Sequence, residues 1–136
     1  MKLFWKLTGI PMDRRILGKS GELFAEKFLE RRGYEILERN FRCRLGEIDL
    51  VARERGEVVF VEVKSRKETA FGFPEEQLSW KKQRKLWRLA EYYLKRYPKD
   101  QPARIDVVAI LFDGRKELLS IRLIENAIAF SGGKSC

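Results

Sequence analysis

Three observations predict a mixed α/β fold, a β-sheet flanked by helices in the order αβββαββ. Two stretches repeat apolar residues at helical spacing, and each ends at a breaker, Gly33 for the first and Pro98 for the second. Five shorter runs rich in apolar and β-branched residues follow them in groups of three and two. Glu54-Arg55-Gly56-Glu57 and Asp113-Gly114 supply hairpin turns, one within each group.

The first helix is expected over 14–32, where Leu17, Gly21, Phe24, Ala25, Phe28 and Leu29 fall on one face. A strand over 34–39 follows, then a basic connection over 40–45, then hairpin strands over 47–53 and 58–64. Residues 65–77, with Gly72 and Pro74, read as a loop, and loops of that length are often functional. The second helix is expected over 78–97, with Leu86, Leu89, Ala90, Tyr93 and Tyr97 forming its buried stripe. Strands over 105–112 and 117–123 complete the sheet. Residues 1–13 read as an N-terminal extension, 14–130 as a single domain and 131–136 as a frayed tail.

Composition narrows the chemistry. The 136 residues are 44% hydrophobic and 12% aromatic, enough for one core. A formal net charge of +9 favours a polyanionic partner, nucleic acid first. No histidine occurs, which excludes His-based proton transfer, His-zinc sites and Ser-His-Asp triads. The two cysteines, Cys43 and Cys136, make neither a disulfide framework nor a four-thiolate zinc site, a usage that fits a reducing cytoplasm. Lys6 interrupts the apolar start and no small-residue cleavage site follows, which argues against a signal peptide. No apolar run approaches the ~20 residues of a membrane span.

The candidate site comes from strand pairing. If Arg53 pairs with Val58 across the turn, Asp49 falls opposite Glu62. Opposed residues in an antiparallel pair project to one face with Cβ atoms roughly 5 Å apart, so two like charges meet. Lys64, two residues on and therefore on the same face as Glu62, is one candidate counterion, and a divalent metal is the other. Magnesium takes one or two carboxylates with water and substrate phosphate, and Lys64 could then orient an attacking water or steady developing charge. Equally, the trio could be an exposed ion-pair ladder that contributes little. Glu22 lies at the border of the first helical stripe, placed either to lean toward Asp49 or to pair in solvent with Lys19.

Between Leu78 and Arg104 nine basic residues face only Glu91 and Asp100. Lys81 and Lys85 belong to this run, and Lys81, Arg84, Arg88 and Lys95 lie opposite the buried stripe, a solvated face with a phosphate-contact role open to it. Lys82 sits one turn before Leu86, close to the apolar side, where a phosphate or a carboxylate would account for it, as would a buried stem with its amine in water. Arg42, Arg44 and Arg66 flank the acidic pair and would suit phosphate clamping or simple solvation. Trp5, Trp80 and Trp87 are open to base stacking or core packing.

Taken together, Gly21-Glu22, Asn40-Phe41-Arg42, Gly46-Glu47-Ile48-Asp49-Leu50-Val51, Phe60-Val61-Glu62-Val63-Lys64 and Lys82 resemble the uncharacterised bacterial YraN family. That family looks like a branch of the PD-(D/E)xK nucleases, related to archaeal Holliday-junction resolvases. The resemblance implies a restriction-endonuclease-like fold, a homodimer, and Mg2+, with Mn2+ able to replace it. It implies metal binding by Asp49 and Glu62, assistance to the attacking water by Lys64, and a position near the metal for Glu22. Ile48 stands where the superfamily signature has proline. The resulting expectation is a magnesium-dependent endonuclease acting on structured or branched DNA, with a non-catalytic nucleic-acid-binding module as its alternative.

Overall fold

The computed structural model describes residues 2–5, 21–67, 78–113, 115 and 117–129. Residues 14–20 of the expected first helix, most of the expected loop (68–77), Gly114 and the tail lie outside the described residues. The elements are β1 (Lys2–Trp5), α1 (Gly21–Arg31), β2 (Glu35–Cys43), β3 (Gly46–Glu54), β4 (Glu57–Lys67), α2 (Trp80–Leu94), β5 (Ala103–Phe112) and β6 (Leu118–Ile124). From Gly21 onward this is the predicted order. The sheet runs β1-β6-β5-β4-β3-β2, with β4 and β5 parallel and every other neighbouring pair antiparallel. Thus part of the segment read as an extension, Lys2–Trp5, pairs with β6 as an edge strand.

The β3–β4 hairpin turns on Arg55 and Gly56, at φ 52° and 78°. Positive φ at both central residues is what a type I′ turn requires, and its twist matches the strands it joins. Its register runs from Glu54 opposite Glu57 to Leu50 opposite Val61, the predicted alignment. α2 makes the crossover between the parallel strands β4 and β5. It starts at Ser79, whose hydroxyl accepts the Lys82 N–H at 3.3 Å. At its other end Lys95, Arg96 and Tyr97 donate to carbonyls three residues back, so the expected end at 97 is a tightened last turn beyond the α-helix proper.

Two strands are longer than expected. The residues read as a basic connection continue β2 through Cys43, because Phe41 packs edge-on to Tyr93 at 5.1 Å and Cys43 packs against the same core. β4 runs on to Lys67, because β5 pairs with it as far as Phe112.

The helices cover opposite faces of the sheet. Phe24, Phe28 and Leu29 of α1 pack with Leu50, Val59, Val61, Val108 and Ile110. Leu86, Leu89, Ala90 and Tyr93 of α2 pack with Phe41, Ile48, Val51, Phe60 and Ile105. Gly21 lets α1 approach β4 and β5 closely: a Cβ there would meet Ile110 Cδ1 at 2.3 Å and Ser65 Oγ at 2.9 Å. Ile110 is fully buried and cannot swing aside. Gly21→Ala should therefore cost about 1–3 kcal/mol by overpacking, more than the helix propensity it gains. An unchanged urea midpoint would contradict that.

Candidate active site

The site lies where β3 and β4 lead away from their hairpin. The regular ladder reaches Leu50 opposite Val61, and at the next position the Asp49 side chain takes over, its Oδ2 accepting the Val63 N–H at 2.8 Å. Asp49 also shares a hydrogen bond with Glu62, which makes the two carboxyls one unit. Burial first, and the Glu62 charge second, push the Asp49 carboxyl up to about 8, with the Val63 N–H pulling the other way. At neutral pH the pair therefore holds a proton.

Lys64 Nζ stands 3.2 Å from Glu62 Oε2, with side-chain exposures of 18% and 16%. Those values decide against an exposed ladder, since both groups are largely withdrawn from solvent. Their shared cavity, of about 190 Å³, is lined by Glu47, Glu62, Lys64, Lys82, Lys85, Leu86 and Leu89. Lys82 reaches it from the first turn of α2, as its place beside the apolar stripe implies, while remaining exposed. Lys85 lies over Gly46, where an added Cβ would come within 2.9 Å of its Cε. Gly46 itself has φ 142°, so a side chain is disfavoured there twice over.

Glu22 approaches from α1. Its carboxyl is raised above the ordinary range, first by burial and then by Glu47 and Glu62, while Arg42 and a hydrogen bond from Asn40 oppose the rise. Among the described residues, no three carboxylates or thiols converge tightly enough to form a preassembled metal cage.

The remaining candidates divide. Arg42 is exposed and pairs with Glu47, opposite it in the register. Arg44 is exposed on the β2–β3 turn, and Arg66 lies half-buried on β4, two residues beyond Lys64. Lys81 is exposed and does not line the cavity. Of the tryptophans, Trp87 is buried, its Nε1 donating to the Ile128 carbonyl at 3.1 Å, and Trp80 is exposed. Glu47 and Asn40 are site residues that the sequence reading missed. Glu47 lies two residues before Asp49 on one strand, a spacing that pointed to it.

The model of the uncharacterised protein family UPF0102 matches residues 21–110. A UPF0102 protein of Caldicellulosiruptor saccharolyticus is 50% identical over 117 residues, 85% of this chain and 99% of that protein. One from Lachnoclostridium phytofermentans is 50% identical over 118 residues, covering 85% of this chain and 95% of its own. One from Moorella thermoacetica is 44% identical over 119 residues, covering 87% and 99%. With the family model spanning every residue of the acid pair, its lysine and α2, this chain belongs to the uncharacterised protein family UPF0102, the YraN family its motifs resemble.

Proposed function

We propose that this protein is a metal-dependent endonuclease that hydrolyses phosphodiesters in structured DNA. The observation that carries the reading is the joining of Asp49 and Glu62 into one carboxyl pair beside Lys64, in a cavity that Lys82 and Lys85 also line. Asp49 keeps a proton to about pH 8, first because it is buried and then because the Glu62 charge repels its own. Two carboxyls so joined suit a hard divalent cation, Mg2+ or Mn2+, for which two carboxylates completed by water and phosphate are an ordinary protein contribution. Asp49 and Glu62 would hold the ion, with Glu22 behind them. When bound, it supplies a Lewis acid for a phosphoryl oxygen.

The chain's own groups would do the rest. Lys64, fixed by Glu62, is placed to orient the attacking water or to meet charge growing on the phosphate. Lys82 and Lys85 would hold phosphate oxygens at the cavity mouth. Lys81, Arg84, Lys85 and Arg88 on α2, and Lys95 at its C-cap, are all exposed. They recur at helical spacing over about 21 Å of helix, the length of roughly six base pairs, a track for a duplex arm leaving the site. Arg42, Arg44 and Arg66 would add phosphate contacts around it.

A second reading, a nucleic-acid-binding protein without catalysis, draws on the absence of a third converging carboxylate among the described residues. One experiment separates the two. EDTA-treated protein is given Mg2+ or Mn2+ with duplex, single-stranded and four-way branched DNA. Metal-dependent cleavage that falls about 100-fold or more in Lys64→Ala is expected, the usual cost of losing one charge-stabilising donor. Cleavage unchanged in Lys64→Ala would refute its role. Salt-sensitive binding with no cleavage under any metal would favour the binding module.

A further inference from the structure

Strand residues normally alternate between the two faces of a sheet. Apart from the register shifts between Ile36 and Glu38 and between Leu111 and Phe112, the alternation breaks in two strands at one shared point. Leu50 packs beneath α1, yet Ile48, two residues away, packs beneath α2. On β2, Arg39 bonds Glu26 of α1, yet Phe41, two residues on, packs beneath α2. The register pairs Arg39 with Leu50 and Phe41 with Ile48, which leaves Asn40 facing Asp49 at the reversal. Asn40 has φ 52°, the left-handed region that asparagine tolerates far better than β-branched residues do.

We propose that Asn40 is the positioning residue of the acid pair: its left-handed backbone reverses the facing of β2 and β3 and turns the Asp49 carboxyl into the sheet plane. There the carboxyl meets the Val63 N–H and Glu62, instead of lying flat beneath one helix. The same reversal explains how acids from both layers come close enough to feel one another's charge, Glu22 from α1 and Glu62 from the face that α2 covers. The Asn40 side chain ties the first of these down by its hydrogen bond to Glu22. The catalytic consequence rests on the nuclease reading above, whereas the placement of Asp49 does not.

The test compares the parent with Asn40→Gly, which keeps the left-handed backbone, and Asn40→Val, which opposes it. Two quantities are read in metal-free and Mn2+-titrated protein: hydrogen-exchange protection of the Val63 amide and Mn2+ affinity by calorimetry. Asn40→Gly should retain Val63 protection and most of the affinity. Asn40→Val should lose Val63 protection at least tenfold and Mn2+ affinity about 10–100-fold, the range seen when a ligand's support is removed. Amides of Ile121 and Leu123 in β6 should stay protected in both, which separates positioning from unfolding. Should Asn40→Val not fold, Asn40→Ala, a milder misfit, reads the same two quantities. Unchanged Val63 protection in the folded Val or Ala variant overturns the proposal. A parent that binds no Mn2+ overturns the metal reading alone, because the Val63 amide still judges the role of Asn40.

Discussion

Replacing Arg104 with Met is expected to destabilise the fold by about 3–5 kcal/mol, the cost of stranding buried charge and much of an ordinary domain's stability. The guanidinium donates from Nε to Asp106 at 3.0 Å, from Nη1 to Glu57 at 2.7 Å, and from Nη2 to Glu54 at 2.7 Å and Tyr34 Oη at 3.0 Å. Burial works against its charge, but hydrogen bonds to Asp106, Glu54 and Glu57 outweigh that and hold it above its ordinary range. Asp106 is wholly buried and also accepts from the Tyr34 hydroxyl at 2.7 Å and the Asn126 N–H at 2.8 Å. Methionine fills similar length and supplies no donor. Glu54 and Glu57 would then face each other as a cross-strand pair without their shared cation, and Asp106 would be a buried anion held by neutral groups.

Urea denaturation of Arg104→Met should show this deficit against the parent, because Asp106 is left buried without its cation. Adding Asp106→Asn should recover a large part of the loss. A deficit below about 1 kcal/mol, the ordinary size of a point-mutation effect, or one that Asp106→Asn does not reduce, would refute the account.

This network shares β3 and β4 with the acid pair through Glu54 and Glu57, and the two were unequally legible. The pairing of Asp49 with Glu62 can be read from sequence because Arg55-Gly56 admits a two-residue turn, which fixes the register of everything behind it. Lys82 is legible for a similar reason, since its place one turn before Leu86 sets its side of the helix. The reversal at Asn40 is not. It depends on Phe41 and Ile48 finding room beneath α2, a long-range packing outcome that no local period encodes, and polar Asn40 with basic Arg42 makes that stretch look like a connection. Asp106 shows the converse. One acid inside an apolar strand is a visible signal of a buried polar partner, and Arg104 stands two residues before it, but Tyr34 and Asn126, which also donate to Asp106, and Glu54 and Glu57, which hold Arg104, are brought in only by the sheet.

Asp49→Asn is expected to make the metal-free protein more stable at pH 8 while removing its response to divalent cations. With its pKa pushed up to about 8, Asp49 keeps in the folded state a proton that the unfolded chain has already lost above the usual carboxylate range. Folding therefore takes up a proton between about pH 4 and pH 8, and stability drains away as pH rises through that window. Asparagine matches the shape, can still accept the Val63 N–H, and can donate to Glu62 without charge. Each pKa unit corresponds to about 1.4 kcal/mol, and with Lys64, Lys82 and Lys85 nearby to relax toward the pair, a gain of about 1–3 kcal/mol at pH 8 is expected. The gain should shrink toward pH 4, where parent and variant are both neutral at this position. Saturating Mn2+ should stabilise the parent by about 2–3 kcal/mol at a hundredfold excess over its dissociation constant. The variant should not respond, because the carboxylate that repels Glu62 in the free protein is the one that binds the cation with it. Thermal melts of both proteins at pH 5 and pH 8, with and without Mn2+, read all four quantities. A variant less stable than the parent at pH 8, or an Mn2+ shift that survives the substitution, would show that Asp49 belongs to the scaffold and not to a cation site.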